Sequence, residues 1–125
     1  MITSNFDSDI GAMIHTGTEK VTVDEILDAT RNWFEHAEFH PQTPVIWDLS
    51  DAFLDMTIEE MRNMYTLVRS ALDSKRTGGR TGWVHPSGLV RSMISLLHNE
   101  FDWGSEWSTF QGFDEALSWC VPTRD

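Results

Sequence analysis

The sequence predicts an α/β domain with a mainly parallel sheet whose faces are covered by helices. Short apolar runs alternate with amphipathic stretches of helical period. Those apolar runs lack the strict alternation of half-solvated strands, which favours strands buried on both faces. A chain of 125 residues with 40% hydrophobic residues also has the size and apolar content of one domain. We therefore expect a single domain over residues 1–125, with four or five mostly parallel strands.

The N-terminal part predicts a hairpin followed by a helix. Residues 2–15 contain two strand-like runs on either side of the turn signal at residues 7–9. Thr22 and Glu25 have the spacing of a capping box, in which each side chain bonds to the other residue's backbone N–H. Apolar residues then recur at helical spacing, so a helix is expected to reach about residue 37.

A buried strand and a second capped helix are predicted next. Residues 45–47 read as a short, fully buried strand, and residues 48–56 read as a polar turn. Thr57 and Glu60 repeat the capping-box spacing, and an apolar stripe continues to about residue 74. Ligands of open α/β sheets bind outside the carboxyl ends of the strands, which makes this turn the expected functional region.

The second half of the chain continues the alternation. Residues 77–82 predict a flexible turn, and residues 83–85 predict a strand that Pro86 ends. A third helix is expected from there to about residue 101. Residues 107–110 then predict a further strand, and residues 113–120 a last helix. Four helices are therefore expected in all.

Two segments resemble the STAS domains, the module shared by anti-sigma-factor antagonists and sulfate transporters. Asp48-Leu49-Ser50 after an apolar strand, followed by Phe53-Leu54-Asp55 before a helix, is similar to the central signature of that family. The run Phe110-Gln111-Gly112-Phe113-Asp114-Glu115-Ala116-Leu117-Ser118-Trp119 resembles the end of its SpoIIAA-like members. The resemblance implies a small sheet with helices packed largely on one face, and a bacterial regulatory or binding role without catalysis.

Thr57 is the candidate phosphoacceptor that this resemblance implies. In antagonist members, a Ser or Thr after the second Asp accepts phosphate from a partner kinase and then releases its partner. Counted from Asp55, that position is Met56, which has no hydroxyl; counted from Asp48 with the family's spacing, it is Thr57. A phosphate at a helix N-terminus is electrostatically favourable, but neighbouring carboxylates repel it. An ordinary helix N-cap also explains Thr57.

We expect the chain to act as a non-catalytic regulatory module through protein–protein contact at residues 48–65. The expected partner is an unidentified protein, either a regulatory kinase or an anti-sigma-like protein. The residues expected to form this binding surface are Asp48, Ser50, Asp55, Met56, Thr57 and Met61.

Two other classes of function remain open. The first is a domain that binds a small hydrophobic molecule or lipid in an apolar pocket under Trp47, Trp83 and the methionine-rich helix. The second and weaker one is a small cytosolic enzyme, for which Asp48 and Asp55 would be the acid–base pair. No nucleophile is recognisable beside those carboxyl groups, so no catalytic residue is assigned.

A candidate anion site lies at the strand-to-helix turn formed by His85, Ser87 and Arg91, where a ring nitrogen, a hydroxyl and helix N–H groups come together. A helix cap at Ser87 explains the same residues without a ligand.

His36 and His40 are four residues apart, but they lack the order of a helical zinc motif. Neither a metal nor a cofactor is therefore expected.

Charge and composition exclude several classes of partner. Twenty acidic and nine basic residues give a net charge of −11, which disfavours nucleic acid and anionic membranes. No apolar run approaches the length of a membrane span, and the single Cys120 cannot form an internal disulfide. We expect a cytoplasmic protein. Exposed sheet edges are compatible with a homodimer.

Overall fold

The computed structural model describes residues 1–74, 79–100 and 106–121, with residues 71–74 described as backbone alone. Its elements, in chain order, are β1 (Ile2–Asp7), β2 (Ala12–Val21), α1 (Val23–Phe34), β3 (Val45–Leu54), α2 (Ile58–Ser74), β4 (Thr81–Val84), α3 (Gly88–Asn99), β5 (Trp107–Phe110) and α4 (Phe113–Cys120). Within these ranges, no helix is long and apolar enough to cross a membrane.

The five strands form one sheet in the order β1-β2-β3-β4-β5. β1 pairs antiparallel with β2, and every later pair is parallel. Parallel neighbours need a crossover connection, and a helix lies between each consecutive pair from β2 onward. The predicted α/β class and the mostly parallel sheet are therefore confirmed.

Side chains alternate between the two faces of the sheet, and each face has its own core. Trp47 and Trp83 belong to the larger core, which α1, α2 and α3 cover. Ile46 and Val84, the neighbours of those tryptophans along the strands, belong to the smaller core on the opposite face, under α4. Three of the four helices thus lie on one face, as the predicted fold requires.

Capping interactions begin the helices where the sequence predicts them. The Thr22 hydroxyl accepts from the Glu25 N–H at 3.3 Å, and the Glu25 carboxylate accepts from the Thr22 N–H at 3.2 Å. The Ser87 hydroxyl accepts from the Val90 N–H at 3.3 Å at the start of α3. Each bond satisfies an N–H that has no acceptor within its helix.

The strand β3 is much longer than predicted, and this corrects the expected polar turn. Asp48 and Ser50 lie within β3, whereas the sequence predicts that they follow it. β2 also extends beyond the predicted hairpin and pairs with the second half of β3 as far as Val21 and Leu54. The Asp48 carboxylate accepts from the Ser50 hydroxyl at 2.6 Å. This bond pairs the polar side chains of Asp48 and Ser50 with each other inside the strand.

Several other boundaries also differ from the prediction. α1 ends at Phe34, because the chain turns there before the prolines, and the predicted end at residue 37 is wrong. Thr81 and Gly82 belong to β4, whereas the sequence predicts them in a turn. The first part of that turn, residues 77–78, lies outside the described residues, as does the predicted end of the third helix at residue 101.

We expect Gly79→Ala to lower the free energy of unfolding by roughly 1–3 kcal/mol, the usual cost of overpacking. A Cβ atom at Gly79 would lie 2.5 Å from the carbonyl oxygen of Thr43, and backbone atoms cannot move aside cheaply. Urea denaturation measures the change. The matched control is Gly88→Ala, whose Cβ meets its nearest atom, on Arg91, at 3.5 Å. That control should stay within about 0.5 kcal/mol of the parent protein; equal effects in both variants would contradict the expectation.

Candidate functional site

A row of aromatic rings crosses the larger face of the sheet. His15 on β2 pairs in register with Trp47 on β3, which pairs in register with Trp83 on β4. The ring centroids of His15 and Trp47 are 4.1 Å apart, and those of Trp47 and Trp83 are 5.1 Å apart with nearly parallel planes. Residues in register on parallel strands point to the same face, so these three rings form a continuous stacked floor.

A cavity of about 90 Å³ lies between this floor and the helices above it. Its lining is predominantly apolar and aromatic, and the described residues that form it include no lysine, arginine, aspartate or glutamate. The residues that surround it are His15, Ile26, Thr30, Trp33, Phe34, Val45, Trp47, Met64, Tyr65, Val68, Thr81, Trp83, His98 and Trp107. Enclosed apolar surroundings with a few polar groups are typical of small-molecule sites.

His98 closes one end of the aromatic row. The Trp83 indole Nε1 donates a hydrogen bond to His98 Nε2 at 2.9 Å. An indole N–H can only donate, so Nε2 accepts and the proton of the neutral ring is assigned to Nδ1. The His98 ring also stacks on Trp107, with centroids 4.3 Å apart. The His98 side chain on α3 is thus held against Trp83 on β4 and Trp107 on β5.

Both histidines of the site are neutral at pH 7. Burial lowers the pKa of His15 from 6.5 to about 4 and that of His98 to about 3, because the apolar surroundings solvate an imidazolium poorly. Burial likewise raises the pKa of the Tyr65 hydroxyl above its ordinary value. The cavity therefore carries hydrogen-bonding groups and no formal charge.

Two buried nitrogen atoms in the lining residues have no hydrogen-bond partner among the described residues: His15 Nε2 and Trp33 Nε1. The other ring nitrogen of His15, Nδ1, lies 2.7 Å from the Ser4 hydroxyl on β1. Buried polar groups are nearly always paired, so unpaired ones at a cavity indicate room for a bound partner. The described part of the chain contains no group of three or more His, Cys, Asp or Glu residues arranged to hold a metal ion.

The residues predicted to form the partner surface are divided between core and solvent. Met61 is 2% exposed and belongs to the larger core. Met56 is half-buried against the same core, and Asp48 and Ser50 are half-buried within β3. Only Asp55 and Thr57, at the connection between β3 and α2, are exposed. The exposed part of the predicted surface is therefore confined to that connection.

Thr57 performs the capping role at the start of α2. Its hydroxyl accepts from the Glu60 N–H at 3.1 Å, and the Glu60 carboxylate accepts from the Thr57 N–H at 3.0 Å. The side chain is solvent-accessible. Phosphorylation at Thr57 remains a prediction, and a phosphate there would have to displace the Glu60 carboxylate from this capping box.

The groups of the predicted anion site bond to one another and to nearby backbone. His85 Nδ1 accepts from the Ser87 N–H at 3.0 Å, and Arg91 Nη1 donates to the His85 carbonyl at 2.9 Å. The Ser87 hydroxyl is the α3 cap. These bonds stabilise the turn and occupy the Ser87 N–H and Arg91 Nη1 as donors. Anion binding there stays a prediction.

Local sequence patterns do not predict His15, Trp33 and His98 as residues of the cavity. His15 falls in a predicted strand and the other two in predicted helices, and no local motif distinguishes them. The only signal was an amphipathic pattern in which His98 occupies an apolar position one residue after Leu97. Their convergence depends on strand register and helix packing, which a local pattern does not encode.

We expect the free energy of unfolding to fall as the pH drops from 6.5 to about 4. Above pH 6.5 both buried histidines are neutral in the folded and unfolded states, so they contribute no pH dependence. Below pH 6.5 the unfolded chain binds protons first, because the folded-state pKa values of His15 and His98 are lower. Each histidine should contribute roughly 1.4 kcal/mol per pH unit.

Chemical denaturation at several pH values tests this dependence. His15→Asn should flatten the slope between pH 6.5 and 4 by about one proton's contribution. The matched control is His40→Asn, because His40 is exposed and should leave the slope unchanged. Equal slopes in the two variants would show that His15 does not titrate as described.

Comparison with known proteins bears on the fold. Neither a protein-family model nor a curated protein matches the chain. A solved structure of similar fold is an uncharacterized protein from the DUF3478 family, with a SpoIIAA-like fold, from Shewanella loihica PV-4. The two structures superpose with a TM-score of 0.62 over 96% of this chain and 92% of that chain, at 13% sequence identity. The chain therefore has a SpoIIAA-like fold, as its resemblance to the STAS domains implies.

Proposed function

We propose that this chain is a non-catalytic binding domain that encloses a small, mainly apolar molecule between its sheet and its helices. The observation that carries the proposal is the cavity over Trp47 and Trp83, under Met64 of α2. A domain that binds a small molecule requires an apolar cavity in this place, whereas a closed core would favour partner binding. The geometry thus favours the ligand-binding class.

The size of the cavity limits the ligand. Its volume of about 90 Å³ is below the roughly 150 Å³ of an engineered cavity that holds benzene. A single-ring molecule therefore requires small side-chain movements on entry. Met64 lines the cavity and has a flexible, unbranched side chain, which suits it to such adjustment. A long acyl chain exceeds this volume, so we favour a compact ligand over a lipid.

A second candidate function is a regulatory contact with another protein at the connection between β3 and α2. Two large apolar side chains near this connection are unusually exposed, Phe53 at 64% and Ile58 at 50%. They lie on either side of Asp55, the second acidic residue of the segment that resembles the STAS signature. Exposed apolar side chains beside a charged residue are common in protein–protein interfaces.

We expect Val68→Phe to weaken binding of toluene, used as a probe of the cavity, by at least tenfold. Val68 lines the cavity, and the added ring would occupy the space that the probe needs. Binding is measured by quenching of tryptophan fluorescence and by titration calorimetry, since several tryptophans line the cavity.

The matched control is Leu67→Phe. Leu67 precedes Val68 on α2 but is 53% exposed. This variant should bind toluene like the parent protein, whereas an equal loss in both variants would point to a general effect on folding. No detectable binding of toluene by the parent protein would contradict the proposed function.

The partner-binding candidate requires its own test. Ile58→Asp should abolish co-purification of a specific protein from lysate of the native organism, because a carboxylate would disrupt an apolar contact. Leu96→Asp is the control, since Leu96 is 60% exposed and lies on α3, outside this connection. A partner retained equally by the parent and both variants would exclude the connection between β3 and α2 as its binding surface.

A further inference from the structure

We propose that the cavity selects a neutral, ring-shaped molecule with a hydrogen-bond acceptor, which pairs with the buried N–H of Trp33. This inference rests on the proposed function and specifies its ligand class. It combines three features of the cavity: the shape of its walls, its lack of charge and its unpaired donor.

The walls of the cavity favour a flat ring. Aromatic side chains form its floor and much of its sides, namely Trp33, Phe34, Trp47, Trp83 and Trp107. Trp47 and Trp83 stack with an interplanar angle of 8°, so each ring covers one face of the other and an aromatic surface extends across two strands. Aromatic rings pack favourably against such surfaces by offset stacking or edge-to-face contact. A branched aliphatic molecule of equal volume would lose part of this contact.

The lack of charge in the lining excludes ionised ligands. Among the described residues, no acidic or basic side chain lines the cavity, and both of its histidines are neutral at pH 7. A carboxylate or an ammonium group would therefore be buried without a countercharge, which is strongly unfavourable. Although aromatic walls attract cations, transfer out of water opposes that attraction in a closed site. The net charge of −11 further repels anions as they approach.

The unpaired donor specifies the polar group of the ligand. Trp33 is 3% exposed, and its Nε1 has no partner among the described residues. Because an indole nitrogen can only donate, the missing partner is an acceptor such as a hydroxyl or carbonyl oxygen. The ring of Trp33 is held by stacking on Phe6, with centroids 5.8 Å apart. The donor is thus fixed in place before a ligand binds.

His15 offers a second polar contact that adapts to the ligand. Its Nδ1 lies 2.7 Å from the Ser4 hydroxyl, which can donate or accept. If the Ser4 hydroxyl donates to Nδ1, the proton of the neutral ring is on Nε2, which then donates. If the Ser4 hydroxyl accepts from Nδ1, Nε2 is unprotonated and acts as an acceptor. The unpaired Nε2 can therefore serve either a carbonyl or a hydroxyl group.

The test compares four single-ring probes on the parent protein: phenol, toluene, benzoate and benzylammonium. Phenol loses hydrogen bonds to water on entry, so a cavity without a donor would favour toluene by about tenfold or more. We expect phenol to bind with a Kd within about twofold of that of toluene, because Trp33 replaces the lost bond. Benzoate and benzylammonium should bind at least tenfold more weakly than phenol.

Trp33→Phe removes the donor and keeps an aromatic ring. We expect the ratio of the phenol Kd to the toluene Kd, both measured on this variant, to rise about tenfold over the ratio for the parent protein. Trp119→Phe makes the same replacement in α4, against the opposite core, and should change neither affinity. The unfolding transition of each variant verifies that it is folded, and the probe series on the parent protein does not depend on either variant.

The outcomes of these measurements distinguish the inference about ligand selectivity from the proposed function itself. If toluene binds and phenol binds at least tenfold more weakly, the selectivity inference is overturned while the proposed function stands. Tighter binding of benzoate or benzylammonium than of phenol would also overturn the inference. If none of the four probes binds, the proposed function fails as well. Loss of phenol binding in Trp33→Phe alone supports the inference.

Discussion

The parallel register of β2, β3 and β4 is the constraint on which the rest of the structure depends. It places His15, Trp47 and Trp83 side by side on one face of the sheet. Three stacked rings in one row make a wide aromatic floor that short aliphatic side chains would not provide. Residues of α1, α2 and α3 contribute the other walls of the cavity. The cavity is thus a consequence of strand pairing combined with large side chains.

The same arrangement explains the neutral histidines. His15 takes part in the stacked row, and His98 accepts the indole hydrogen bond of Trp83. Burial disfavours the charged form of each ring, and His98 Nε2 can accept from Trp83 only while that nitrogen is unprotonated. The protein therefore retains polar atoms in an apolar region without placing a charge there. That combination suits recognition of a neutral molecule better than acid–base chemistry at pH 7.

Several residues of the segment that resembles the STAS signature take part in local bonds or in the core, and its role as a partner surface stays a prediction. Asp48 and Ser50 bond to each other within β3, and Met61 lies in the core. Thr57 is engaged in a capping box with Glu60. The segment thus contributes to the stability of the fold. The unpaired nitrogen atoms of His15 and Trp33 lie instead in the lining of the cavity, on the face of the sheet that α1, α2 and α3 cover. A shared fold does not imply a shared site.

The sequence by itself determined the order and type of the elements, the helix starts and the apolar residues of both cores. Capping boxes and helical periodicity are local features, so Thr22, Thr57 and Ser87 could be read from their neighbours. Tertiary structure alone decided the length of β3, which depends on pairing with the extended β2. It also decided the cavity, because His15, Trp33 and His98 are distant in sequence and meet only through strand register and helix packing. Local patterns encode secondary structure, whereas side-chain convergence depends on contacts between distant elements.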